Sequence, residues 1–414
     1  MKRRLPDELP LEFGVGASLQ SRLDGVDWDF PSYLPLPAVK RIHALHWYPA
    51  PFPAALVGTL LDIVSPTPGA FLDPFCGTGV APVEAWLRGF TSTGIDLNRF
   101  AIRVADAKST VLLSADDEAA RSLVASYQEY RVRVTPSWLG AGMGALCDWA
   151  GIDEGADRFF ATRALREIAV AKRWLAEAVP MDWTSVVWVL LSSILHRVSE
   201  LREVHYTYVV DRSKTTRKPT STVDVPLSLT RKISDVFRDA MIFREEMATA
   251  GMPLNPSTQP RYVKADAQTE VQHLAGPYDV AITSPPYFGM NDYVRSQYLT
   301  WLIDPWEGFD NDVFGELGAR RDRWSRGKAQ AYVDGVGAVI SGLSRKLRTG
   351  APLVLVLGQS HSAIAQEYNP VAAVKAAVKE SGFDLLWERE RRVQFRKINN
   401  TPYRAEVVCV FRKH

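Results

Sequence analysis

Gly69-Ala70-Phe71-Leu72-Asp73-Pro74-Phe75-Cys76-Gly77-Thr78-Gly79-Val80 is the stretch that decides the fold. An apolar run closing on an acid reads as a buried strand. The glycines read as a tight turn, and Ala81 to Arg88 as the helix behind it. Glycine lets a backbone approach a ligand closely, and the helix N-terminus beyond the turn offers N–H donors. The dinucleotide pattern Gly-x-Gly-x-x-Gly is not completed, since Pro82 stands where the third glycine belongs, which disfavours a nicotinamide nucleotide. About twenty residues on, Thr93-Gly94-Ile95-Asp96-Leu97-Asn98 is a second short strand ending in an acid. In a nucleotide-binding sheet that place sets a carboxylate against two ribose hydroxyls. An acid there also serves as a helix cap.

The same punctuation returns later in the chain. Tyr262-Val263-Lys264-Ala265-Asp266-Ala267 is a short strand ending in Asp-Ala, and Tyr278 to Ile282 is an apolar strand that runs into Thr283-Ser284-Pro285-Pro286-Tyr287. Two consecutive prolines lock φ and remove two N–H donors, so the corner presents carbonyl oxygens free to accept. Such a corner suits the drawing of hydrogen bonds from a planar amino group. A plain proline loop at a strand end has the same composition. Upstream, His46-Trp47-Tyr48-Pro49-Ala50-Pro51-Phe52-Pro53 leads into the apolar helical spacing of Ala54 to Leu61, with Pro53 fitting the first turn.

In order and spacing these segments resemble the amino-directed DNA methyltransferases. Asp73-Pro74-Phe75-Cys76-Gly77-Thr78-Gly79 resembles their motif I, Ser284-Pro285-Pro286-Tyr287 their motif IV, and Tyr48 to Pro53 their motif X, with Asp96 and Asp266 at the places of motifs II and III. The resemblance implies an α/β fold with a Rossmann-like class I methyltransferase sheet of seven strands, the last one antiparallel. It implies S-adenosylmethionine as cofactor, held by Tyr48, Phe52, Asp73, Pro74, Phe75, Gly77, Thr78, Gly79, Asp96, Leu97, Asn98, Asp266, Ala267 and Ser284. Asp266 would bind the adenine amino group. Ser284, Pro285, Pro286 and Tyr287 would carry catalysis, with the Tyr287 ring stacked on an extruded base. Serine before Pro-Pro is typical of enzymes that methylate N4 of cytosine. The expected activity is therefore site-specific transfer to cytosine N4 in double-stranded DNA, with a cognate restriction endonuclease as partner. Adenine-N6 transfer, RNA guanine-N2 transfer and a non-catalytic DNA-binding module are the alternatives. Carbon-5 methylation is disfavoured because no cysteine follows a proline directly.

The expected organisation is an irregular arm over 1–40, a catalytic domain over 41–110 and 260–414, and a mainly helical insertion over 111–259. Ala119 to Val132, Arg158 to Val179 and Trp183 to Leu201 are apolar at helical spacing, with breaks at Thr135-Pro136-Ser137 and Pro180-Met181-Asp182. Trp174, Trp183 and Trp188 are expected in that region's core. The insertion parts motif II from motif III, unlike the best-known groupings of the family. A helix over Ala329 to Leu347, the apolar strand Pro352 to Gly358 and a hairpin of Phe383 to Arg392 with Ala405 to Phe411 complete the sheet. Basic residues among hydroxyls (Arg212, Lys214, Arg217, Lys218) and a second cluster around a tryptophan (Arg320, Arg321, Arg323, Arg326) are candidate DNA contacts.

With 46% hydrophobic and 23% charged residues the 414-residue chain has the make-up of a soluble protein, and its net charge of +2 confines any nucleic-acid surface to local patches. No apolar run is long enough to span a membrane. Cys76, Cys147 and Cys409 have no metal-ligand spacing and cannot build a disulfide framework. A cytoplasmic protein that needs no metal is expected.

Overall fold

Seven strands make one sheet: β1 (Ala70–Asp73), β2 (Thr91–Asp96), β3 (Arg261–Lys264), β4 (Val280–Thr283), β5 (Pro352–Gly358), β6 (Phe383–Val393) and β7 (Arg404–Lys413). Their order is β3-β2-β1-β4-β5-β7-β6 in the computed structural model, which describes residues 17–30, 41–50, 52–138, 141–201, 223–359, 363–393 and 404–414. The first five strands run parallel. Only β7 is reversed, and it pairs antiparallel with β5 on one side and β6 on the other. This is the Rossmann-like class I methyltransferase sheet, with the reversed strand inside the sheet rather than at its edge.

Strand residues alternate between two cores, as period-two side chains must. Phe71, Val280, Ile282, Val354, Val356, Val408 and Val410 face a layer of three helices, α1 (Leu19–Asp24), α2 (Ala54–Val64) and α3 (Val80–Leu87). Leu72, Ala281, Leu353, Leu355, Cys409 and Phe411 face the opposite side, which later helices cover. Residues 17–30 of the expected irregular arm include the short helix α1 and are in part firmly packed. Trp28 is buried against Trp387 at 5.5 Å, and Trp387 Nε1 donates to Asp24 at 2.7 Å.

Beyond β2 comes α4 (Arg99–Ser114), capped by Asn98, whose side chain accepts from Phe100 N. Five further helices follow: α5 (Asp117–Trp138), α6 (Met143–Ala150), α7 (Thr162–Glu177), α8 (Met181–Val198) and α9 (Val225–Thr249). The break expected at Thr135-Pro136-Ser137 does not occur, since α5 runs on to Trp138. A proline that close to a helix end forfeits one bond of the ladder without disturbing those behind it. Helix α9 was not anticipated, yet Asp224 caps it and Pro226 stands in its first turn. Trp174 packs on Tyr127 at 5.0 Å, Trp183 on Phe237 at 4.8 Å and Trp188 on Phe100 at 5.7 Å, so the three tryptophans do lie in this region's core. That core includes Phe100, Val104 and Val111 of α4 and Leu299 and Leu302 of α11 (Tyr298–Ile303), which follows the short α10 (Ala267–Glu270).

Helices α12 (Phe309–Gly315), α13 (Arg326–Lys346), α14 (Ala363–Tyr368) and α15 (Pro370–Glu380) precede the closing hairpin, and α10, α13, α14 and α15 supply the second core. Among the described residues no helix is long and apolar enough to cross a membrane, and no group of three His, Cys, Asp or Glu could hold a metal ion. All three cysteines are free and buried.

Candidate active site

The parallel strands end along one edge, and there the two segments singled out in the sequence meet. Asp73 closes β1 and Thr283 closes β4. Thr283 Oγ1 donates to Asp73 Oδ1 at 2.6 Å, and Phe75 N donates to the same oxygen at 3.0 Å. One buried carboxylate thus ties the start of the glycine turn to the residue before Ser284. Burial pushes Asp73 up to about 7, against the pull of its bonds from Thr283 and Phe75. Its expected place among ligand contacts needs correction. Asp73 is 1% exposed and sits beneath the cleft rather than in its lining, so it acts by holding the turn.

The turn is built on left-handed glycines, with φ +50° at Gly77 and +76° at Gly79. Gly77 N donates to Asp96 Oδ2 at 2.9 Å, and Asn98 N donates to Asp96 Oδ1 at 2.8 Å. Asp96 therefore spends one lone pair of each oxygen on the backbone and keeps the rest. Below the turn, the buried Lys108 Nζ donates to Thr78 O at 2.7 Å. Gly79 also lies behind the cleft: a Cβ there would stand 2.6 Å from that of Ala105, so its role is to let the turn pack on α4.

The cleft above holds about 900 Å³ of empty space, solvent at its mouth included. Of the residues expected at the cofactor, Tyr48, Phe52, Pro74, Phe75, Gly77, Thr78, Asp96, Leu97, Asn98, Asp266, Ala267 and Ser284 line it, and Pro286 joins them. Pro285 is buried outside the lining. Asp266 caps α10 by accepting from Gln268 N at 2.9 Å. Tyr48 Oη accepts from Asn98 Nδ2 at 3.5 Å, and its ring stacks on Tyr293 at 5.7 Å.

Tyr287 departs from expectation. Its ring is 7% exposed and lies over Gly358, whose missing side chain makes the room. Its hydroxyl donates to Glu406 Oε1 at 2.9 Å and stands 3.1 Å from Ser284 Oγ as acceptor. A ring so enclosed offers no face to a base, so the stacking role assigned to it is not what this position supports. Ser284 Oγ is also 3.2 Å from Val356 O.

One cleft residue that the sequence does not single out is Glu316, which stands beside Tyr293. Glu316 is 7% exposed, accepts from Tyr293 N through Oε1, and has no hydrogen-bond partner at Oε2 among the described residues. Burial pushes it up to about 8, with Asp292 adding to the rise and the Tyr293 N–H and Arg321 opposing it. No motif surrounds it, and a lone Glu between Gly315 and Leu317 gives no sequence signal.

The basic clusters fare unevenly. Arg212, Lys214, Arg217 and Lys218 lie outside the described residues. Arg321 was expected to face DNA, yet it is turned inward. Its guanidinium donates to Val313 O and stands 3.7 Å from both Asp292 and Glu316. Arg323 lies over the exposed Trp324 at 4.9 Å, Arg326 pairs with Glu367 on the surface at 2.6 Å, and Arg320 begins the turn that carries them.

These carboxyls make stability depend on pH. Asp73, Glu316 and Asp96 (the last raised to about 6, chiefly by burial) all hold protons in the fold that the unfolded chain has released. Stability is then greatest below the unfolded values and is lost as pH rises towards the folded ones. His46, lowered to about 4 by burial, works in the opposite sense but is outnumbered by the raised carboxyls. The melting temperature is expected to fall between about pH 5 and pH 7, and to fall less steeply in Glu316→Gln. Thermal unfolding across that range checks it.

Neither protein-family models nor curated proteins yield a match to this chain. Among solved structures it is similar to the rRNA methyltransferase aviRa from Streptomyces viridochromogenes, at 13% identity and a TM-score of 0.35 over 91% of each chain. It is also similar to TrmN from Thermus thermophilus (13%, TM-score 0.32, 91% of this chain) and TehB from Haemophilus influenzae (9%, 0.30, 86%). The match spans 53% of the TrmN chain and 61% of TehB. Likenesses this slight carry no part of the assignment, which rests on the strand order and the cleft.

Proposed function

We propose that this chain is an S-adenosylmethionine-dependent methyltransferase acting on the exocyclic N4 of cytosine in double-stranded DNA. The observation that carries this reading is the Asp73–Thr283 bond, with the glycine turn and Ser284 lining one cleft. The lining suits an adenosine. Asp96 and Asp266 retain acceptor capacity for hydroxyl and amino hydrogens, while Phe75, Leu97, Ala267 and Leu317 give apolar walls for a ring. When bound, the cofactor supplies an electrophilic methyl group on a sulfonium sulfur.

The chain's own work is done at the corner. A cytosine amino nitrogen is a poor nucleophile because its lone pair is delocalised into the ring. Ser284 Oγ would accept one of its two hydrogens and turn the lone pair outward, while the Pro285 carbonyl expected to take the other belongs to a residue outside the cleft lining. Positioning and fixed dipoles then provide most of the rate. In a duplex that amino group is paired, so the base must leave the stack. The exposed Arg326 and Trp324, with the half-buried Arg320 and Arg323, form the surface proposed to hold the phosphates while it does.

The test is transfer of a labelled methyl group to duplex DNA, followed by digestion to nucleosides. N4-methylcytosine is the expected product. N6-methyladenine, methylated guanine from RNA, or cofactor binding without transfer to any of them would replace this reading with one of the alternatives.

A further inference from the structure

Behind Ser284 runs a line of buried polar groups that the sheet does not need. Glu406 on β7 stands in register with Gly358 of β5 on one side and Arg391 of β6 on the other. The Arg391 side chain is 0% exposed, and its Nε lies 3.3 Å from Glu406 Oε2. Among the described residues neither of those two atoms has a hydrogen-bond partner, so the pair is close but poorly aligned. Removing two charges from water is expensive, and a misaligned pair recovers little of that, so stability does not explain the arrangement. The other carboxylate oxygen does have a partner. Oε1 accepts from Tyr287 Oη at 2.9 Å, and Tyr287 Oη accepts from Ser284 Oγ at 3.1 Å. Ser284 in turn lines the cleft. The line thus leads from the cleft to a carboxylate enclosed in the sheet.

We propose that Glu406, reached through the hydroxyls of Ser284 and Tyr287, receives the proton that the target amino group sheds on methylation. This rests on the function proposed above. As the amino lone pair forms the new N–C bond, the C–S bond breaks and its electrons stay on sulfur, leaving the nitrogen with a proton too many. That proton passes to Ser284 Oγ, Ser284's own hydrogen passes to Tyr287 Oη, and Tyr287's passes to Glu406 Oε1. Each hydroxyl gives one proton and takes one, and the net change is one proton moved from nitrogen to carboxylate. After product leaves, the same line run backwards returns the proton to the solvent in the cleft.

Burial raises the proton affinity of Glu406, while Arg391 and the bond from Tyr287 hold it down. The charged or titratable groups facing it are Arg391 from β6 and Tyr287 and Tyr293 from the loop after β4. β5 presents only Gly358. The misaligned ion pair fits a temporary proton holder better than a permanently ionised strut.

The experiment compares Tyr287→Phe, Glu406→Gln and the double variant. Tyr287→Phe leaves the ring and the Arg391–Glu406 pair in place but interrupts the line. Glu406→Gln can still accept from Tyr287 but cannot take a proton. Each is expected to lower kcat by about 10²-fold with KM for the cofactor unchanged, and the double variant to be no slower than either single one. If Glu406→Gln fails to fold because Arg391 is left uncompensated, Arg391→Met/Glu406→Gln removes the stranded charge and takes its place. A second readout needs no turnover. In the ligand-free protein the infrared carboxyl band lost in Glu406→Gln is expected to shift in Tyr287→Phe. An unmoved band overturns the line, as does either single variant turning over at the wild-type rate, or a double variant whose loss is the product of the two. A wild-type protein that methylates nothing, with the band shifting as expected, overturns instead the function on which the proposal rests.

Discussion

Ser284→Ala is expected to lower kcat by about 10²-fold while the dissociation constant of the cofactor stays within about twofold, because the lost group acts on the charge that develops during transfer. The serine oxygen lines the cleft, but the binding surface is spread over the glycine turn, Asp96 and Asp266, none of which depends on it. Loss is not total, since the rest of the cleft that positions the two reactants survives. Ser284→Cys would nearly fill the same volume with a weak hydrogen-bonding group and restore little, which separates chemistry from packing. Single-turnover methyl transfer beside calorimetric cofactor titration checks both halves. A variant that turns over normally would take Ser284 out of the reaction, and one that no longer binds cofactor would make it a binding residue.

Gly358→Ala is expected to cost about 3 kcal/mol of stability and most of the activity, although position 358 touches no expected ligand. An added Cβ would stand 2.2 Å from Cδ2, 2.3 Å from Cγ and 2.6 Å from Cε2 of Tyr287. Such overlap must be relieved by movement, and the ring is not free to move. Its hydroxyl is held by Glu406 and Ser284, and its backbone follows two prolines. Relief would displace the corner that carries Ser284. Urea unfolding and methyl transfer on the same preparation provide the test. An unchanged midpoint together with unchanged turnover would mean that the ring does not lie over this glycine.

The two predictions mark where the sequence could and could not be read. The glycine turn, the acids at strand ends and the Pro-Pro corner are local patterns. Each is written within a dozen residues, and parallel strands ending along one edge bring them together automatically. Twelve of the fourteen expected cofactor residues accordingly line the cleft. Asp73 and Gly79 miss it because a motif fixes which residue is needed but not whether it faces the ligand or holds the loop that does. Tyr287 was misread for a longer-range reason. Whether its ring is free depends on Gly358 of β5 and Glu406 of β7, which only strand pairing places beside it. Arg321 looked like part of a basic patch because charge counts along a chain do not reveal that Asp292, Glu316 and the Val313 carbonyl await it. Helix α9 escaped notice because it follows a long polar run, although its cap and first-turn proline were in plain view.

The core shared by α4, α11 and the helices α5 to α9 has a consequence for engineering. Phe100, Val104 and Val111 are each at most 1% exposed because those helices cover them, and Leu299 and Leu302, on the far side of the corner loop in sequence, lean on the same cluster. The helical part therefore cannot be excised, or grafted onto another sheet, without stripping one flank of this one. A truncated chain of that kind should precipitate rather than survive as a smaller enzyme.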